Sequence, residues 1–257
     1  MVTKKRIGNF HGAVADIVYH DALGSPSNSF VLTLPEEQNS ISSRHGFKKV
    51  RALVNCHIPD AIAEYMHDQS TKWQYFYKKI LKDVLEDYRL DFKDIALLST
   101  GVSMENLAYK EKIYEDLWVV VFTTAGAKNN ALRIGVDRAC GIERDGKFRR
   151  IGTINNFLLT NALLDNAALV GSVITMTEAK NVALQELDIR SSFKKDLLAT
   201  GTGTDQVVAV SGRGERCTYV GGHTKIGEMI ARATTLSTIE AIKKARKQWQ
   251  LSHPLES

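Results

Sequence analysis

No run of apolar residues in this 257-residue sequence reaches the roughly 20 needed to span a bilayer, so no membrane-crossing helix and no membrane partner are expected. No apolar signal core follows the basic segment Met1–Arg6, and the expected compartment is the cytoplasm. Cysteine is scarce. Cys56, Cys140 and Cys217 are odd in number and far apart, which argues against a disulfide framework and a Cys-only zinc centre. The seven histidines show no metal-ligand spacing, and His-Glu-x-x-His is absent. No metal is expected. No Gly-x-Gly-x-x-Gly follows a strand and no Gly-x-x-x-x-Gly-Lys-[Ser/Thr] occurs, so the common dinucleotide and P-loop fingerprints are missing. Charge of one sign is not concentrated either. The net charge is +5, but the one dense cluster, Lys243, Lys244, Arg246 and Lys247, ends a helix candidate whose dipole it complements. It reads as a solvated face, and no nucleic-acid partner is expected. No repeat, linker or low-complexity stretch divides the chain, so residues 1–257 read as one domain.

What is present is ordinary globular composition, 44% hydrophobic and 25% charged. Ala13–Tyr19, Phe30–Leu34, Val50–Asn55 and Ile95–Leu98 read as strands, with a turn over Gly24–Asn28. Apolar residues at helical spacing predict one amphipathic helix over Trp73–Tyr88. Met104–Lys110 reads as a short helix, and Cys140–Arg150 as a surface hairpin or loop. Leu117–Phe122 is apolar throughout, which predicts a central strand buried on both faces. Further central strands are expected over Asn155–Leu159 and Gln206–Val210, and helices over 167–187, capped by Asp165, and 223–246, capped by Thr224. The fold class is α/β: a mixed β-sheet core packed by helices.

Five polar stretches sit at the ends of these elements: Ser99–Ser103, Thr123–Ala131, Gly152–Asn155, Ala199–Asp205 and Gly221–Lys225. Ala199–Asp205 is the densest, with three threonines alternating with two glycines before a carboxylate. Glycines there let backbone N–H groups face a ligand, and threonines add hydroxyls that donate and accept. The titratable groups in or near these stretches are Asp205, His223, Lys225, Glu178, Lys180 and Glu228. Such a set suits amide hydrolysis, in which one group activates water, one protonates the leaving amine and loop donors hold the oxyanion. Plainer roles exist for each: a helix cap for His223, a solvated helix position for Glu178, a turn residue for Asp205, a first-turn carboxylate for Glu228.

The ordered blocks carry a resemblance. Gly152-Thr153-Ile154-Asn155, Thr177-Glu178-Ala179-Lys180 with Ala183–Leu187, Ala199–Asp205, and His223-Thr224-Lys225-Ile226-Gly227-Glu228 resemble the signature blocks of the adenosylcobinamide amidohydrolase family. Leu98–Gly101 and Thr123–Gly126 through Ala131 are similar to it too, in the same order, and the match covers roughly residues 30 to 245. The resemblance implies a corrinoid substrate, hydrolysis of its aminopropanol amide to adenosylcobyric acid and 1-amino-2-propanol, and no cofactor beyond the cobalt that the substrate carries. Within these blocks, chemistry assigns His223 as the proton-transfer group, Asp205 as its orienting carboxylate and Glu178 as a reserve base. Thr153, Asn155, Thr202, Gly203, Thr204, Thr224, Lys225 and Asn130 are expected to meet substrate. A hairpin turning at Gly212–Gly214 is expected to bring His223 back to Asp205 in one cleft. The other readings are a non-catalytic corrinoid- or nucleotide-binding protein, and a threonine-nucleophile hydrolase made by self-cleavage. The sequence leaves a homo-oligomer open.

Overall fold

The structure is a computed structural model, and it describes residues 2–67, 73–139 and 153–252. The Cys140–Arg150 stretch lies outside the described residues. In chain order the elements are β1 (Thr3–Phe10), β2 (Ala13–Ala22), β3 (Ser25–Ser42), β4 (Gly46–His57), α1 (Asp60–His67), α2 (Trp73–Ile80), α3 (Lys82–Asp87), β5 (Ile95–Thr100), β6 (Ala108–Tyr114), β7 (Leu117–Ala125), β8 (Ile154–Thr160), β9 (Leu163–Leu164), α4 (Asn166–Glu186), β10 (Gln206–Val210), β11 (Arg216–Cys217) and α5 (Lys225–Ser252). Among the described residues no helix is long and apolar enough to cross a membrane.

Nine strands form one curled mixed sheet among the described residues. The long strand β3 makes the curl. Its first half pairs with β2, its last residues pair with β10, and β4 pairs with it on both sides of a register shift between Thr33 and Gln38. Pro35 lies in that shift and has no N–H to give a ladder. Beyond β4 comes the parallel strand β5, and beyond β10 come β8, β7 and β6. The two halves face each other across a core that includes Phe30, Leu53, Leu98, Phe122 and Phe157. Leu81, Val84 and Leu85 pack on the outer face of the first half. Met176 of α4 and Ile226, Met229 and Ile230 of α5 cover the outer face of the second. The layers therefore run helix, sheet, sheet, helix.

The mixed α/β sheet expected from the sequence is present, and β7 lies between β6 and β8 with Val119–Ala125 buried. Several local expectations change. Ser25–Asn28 belong to β3, paired with β2, and the turn is at Leu23–Gly24, both with positive φ. The expected helix over 73–88 is two helices, broken at Leu81. Only Met104–Asn106 turns helically, and from Ala108 the chain is strand β6. Its alternating Lys110, Glu111 and Lys112 suit an edge strand, where charge deters pairing with another chain.

Candidate active site

Asp205 immediately precedes β10, and Ile154 opens β8, its parallel neighbour with Gln206 opposite Asn155. This register sets the Asp205 carboxylate against the start of β8. Oδ1 accepts from Ile154 N at 3.0 Å and Thr202 Oγ1 at 2.5 Å. Oδ2 accepts from Thr202 N at 3.1 Å and Lys180 Nζ at 2.6 Å. Four donors, one of them the Lys180 ammonium, fix the position of this side chain. Lys180 comes from α4, on the same buried stripe as Met176, Ala179, Ala183 and Leu184.

The glycines of the loop now have specific reasons. A Cβ on Gly201 would lie 2.5 Å from Asp205 Oδ2 and 3.0 Å from Lys180 Nζ. Gly203 has φ +79°, and a Cβ there would meet Leu132 Cδ1 at 2.6 Å. Leu132 pairs with the loop through Leu132 N to Gly201 O and Thr200 N to Leu132 O, both 2.7 Å. The loop is a tied structure, with Thr202 buried and Thr204 half-buried.

A second polar chain lies between the half-sheets at the same end. Thr153 Oγ1 donates to Thr204 O at 2.6 Å, and stands 3.1 Å from Asn155 Oδ1. Asn155 Nδ2 donates to Asn55 Oδ1 at 2.8 Å and Ser99 O at 3.0 Å, and Asn55 Nδ2 donates to Thr124 Oγ1 at 2.8 Å. The free edge of β5 is satisfied by side chains in turn: Lys48 Nζ on Ile95 O, His45 Nε2 on Leu97 O and Asn155 on Ser99 O. Burial lowers the pKa of His45 and of His57, the last residue of β4, against the raising effects of the Leu97 carbonyl and of Asp60 respectively. Asn130 Nδ2 donates to Gly126 O at 3.0 Å nearby.

A cavity of about 210 Å³ opens beside the ion pair, lined by Ser43, Ile134, Met176, Thr177, Lys180, Gly203, Asp205 and neighbours. Its titratable liners are Lys180 and Asp205. Among the described residues no three His, Cys, Asp or Glu side chains gather as a metal site.

Four of the five polar stretches, represented by Ser99, Thr124, Thr153–Asn155 and Thr202–Asp205, are thus joined at one end. The fifth is not. Thr175 Oγ1 donates to Val220 O, and Val220 packs on Gly171, so the turn that follows sits near the first half of α4. Gly171 and Lys180 stand about 13 Å apart along the helix. His223 is exposed there and is not a partner of Asp205. The expected hairpin does not form, because β11 pairs in parallel with β9 and not with β10. Thr224 accepts from Gly227 N as a helix cap, and Lys225 pairs with Glu228 at 2.6 Å. Glu178 is exposed and does not line the cavity. The sequence places Lys180 in the titratable set but assigns it no role. Its signal was a lysine within the apolar stripe of α4.

The chain matches the adenosylcobinamide amidohydrolase family over residues 15–250. It is 41% identical over 238 residues to an uncharacterised protein of Methanocaldococcus jannaschii, MJ1613, covering 88% of this chain and 90% of that protein. It is 32% identical over 163 residues to the adenosylcobinamide amidohydrolase of Methanosarcina mazei, covering 58% of this chain and 68% of the relative. The PH0078 protein of Pyrococcus horikoshii superposes over 95% of this chain and 83% of its own with 10% identity and a TM-score of 0.44, too low to carry an argument. Matched over residues 15–250, most of its length, the chain belongs to the adenosylcobinamide amidohydrolase family.

Proposed function

We propose that this protein hydrolyses the amide joining aminopropanol to the corrin ring of adenosylcobinamide. The products are adenosylcobyric acid and 1-amino-2-propanol, and the step serves corrinoid salvage. The carrying observation is the cavity over the Lys180–Asp205 pair. At about 210 Å³ it has room for an amide arm and none for a corrin ring. The ring is left at the mouth, where the lining residue Ile134 is exposed. Binding energy from the ring then positions the arm.

Water adds to the amide carbon, the carbonyl electrons move onto oxygen, and the C–N bond breaks as the carbonyl re-forms. The amine leaves with a proton, and atoms balance with one water consumed. The reading needs no ATP and no metal beyond the substrate's cobalt. Thr153, Asn155, Thr202, Gly203, Thr204 and Asn130 are the proposed substrate-side residues, acting through the loops they tie together. Asp205 serves as an anchor in this reading, and no proton relay through His223 is invoked.

The test is incubation of the purified protein with adenosylcobinamide without ATP, followed by mass spectrometry. Appearance of adenosylcobyric acid supports the reading. Tight corrinoid binding with no product over hours favours a non-catalytic binding protein.

A further inference from the structure

Lys180 is only 5% exposed, yet an ammonium has three N–H donors. One of them meets Asp205 Oδ2 at 2.6 Å. Among the described residues no other acceptor bonds it, and the side chain lines the cavity with Thr177, Ser43 and Gly203. At position 201 only a glycine stands beside Nζ, so no side chain shields it there. A buried ammonium with donors to spare, beside an open cavity, is built to receive an oxygen from outside the protein.

We propose that Lys180 receives the scissile carbonyl oxygen and, after hydrolysis, the carboxylate of the product. Asp205 is its positioning residue. The inference rests on the hydrolytic reading above and adds to it a named electrophile and a ligand class: a carboxylate on the end of a corrin side chain. Asp205 has its own oxygens filled by Ile154, Thr202 and Lys180, so it lowers the cost of burying the ammonium without competing for the substrate oxygen. As water adds, negative charge grows on the carbonyl oxygen, and attraction to the ammonium in a water-poor site grows with it. When the amine has left, the resulting acid ionises and its carboxylate faces the same ammonium. Arginine would not replace lysine, because its planar fork is larger and Gly201 marks how little room there is.

The experiment compares binding of adenosylcobyric acid with binding of its primary amide at the same position, by spectrophotometric titration of the corrinoid, in the wild-type protein and in Lys180→Met, Lys180→Gln and Asp205→Asn. The wild type is expected to prefer the carboxylate by about tenfold or more, as befits a charge-assisted contact. Both Lys180 variants are expected to lose that preference, and to lower kcat on the order of a hundredfold with little change in KM. Asp205→Asn is expected to weaken the preference and kcat together. Equal binding of acid and amide by the wild type overturns the inference, whether or not any variant folds. So does a folded Lys180→Met that keeps the preference or turns over within about threefold of wild type. Neither result touches the hydrolysis itself, which is read separately from product formed by the wild type.

Discussion

Lys180 Nζ and Asp205 Oδ2 stand 2.6 Å apart although 25 residues separate them in the chain. The contact ties the middle of α4 to the loop that enters β10, and both side chains are largely removed from solvent. Removing one charge leaves the other buried without its partner. Asp205→Asn is therefore expected to lower the free energy of unfolding by about 3 kcal/mol, measured by urea denaturation. Unchanged stability would mean that the pair adds nothing to the fold.

Two glycines of the loop are expected to differ from one outside it. Gly201→Ala places a methyl group against the Asp205 carboxylate, and Gly203→Ala both strains a positive φ and meets Leu132. Each should cost roughly 1–2 kcal/mol or displace the loop, with loss of turnover. Gly222→Ala has open space around it and an ordinary φ, and should stay within about 0.5 kcal/mol of wild type. Thermal melts of the three variants, run with the activity assay, check the ordering. A neutral Gly201→Ala would contradict it.

Asn55 bridges the half-sheets, bonding Asn155 and Thr124 at 2.8 Å each while fully buried. Asn55→Ala leaves two buried polar groups short of a partner, and about 2–4 kcal/mol of stability should go with them. Asn155→Ala should cost less on top of it than alone, because both belong to one network. Additive losses in the double-mutant cycle would show that the network is not coupled.

Burial lowers the pKa of His20, opposed by the Asp21 carbonyl and by the charges of Asp21 and Asp83; its Nε2 meets Ser29 Oγ. His45 and His57 shift the same way for the same reason. In the unfolded chain these rings take up protons near pH 6.5, whereas the folded rings stay neutral to lower pH. The unfolded state thus binds more protons in the window just below 6.5. Stability should be full above about pH 7 and fall as pH drops through that window, levelling off below the folded pKa values. Melting temperatures from pH 7.5 to about 5 check this, and His20→Gln should flatten the slope. A stability that rises on acidification would reverse the assigned sign.

Strands with one unambiguous signal were readable from the sequence. Gln206–Val210 is β10 to the residue, and the apolar run Leu117–Phe122 opens β7, which continues to Ala125, because both are largely buried between layers and read as continuous apolar segments. Ser25–Asn28 was less readable, since small polar residues next to a glycine look like a turn whether or not a neighbouring strand takes up their backbone groups. The Gly-Thr loop, Thr153 and Asn155 stand out by composition, and the structure ties them together. What composition could not supply was which stretches meet. Proximity in sequence suggested that the chain after β10 returns to Asp205, whereas β11 goes to β9 and the turn before α5 meets α4 at Gly171 and Thr175, away from Asp205. The partner of Asp205 lies upstream, on a helix face where a lysine interrupts an apolar stripe.

The most direct test of the account is hydrolysis of adenosylcobinamide in water enriched in oxygen-18, with both products weighed by mass spectrometry. Equal amounts of adenosylcobyric acid and 1-amino-2-propanol are expected without ATP, with one heavy oxygen in the new carboxylate and none in the amine. Adenosylcobinamide recovered unchanged from a folded protein that binds it, or an acid product without the heavy oxygen, would contradict it.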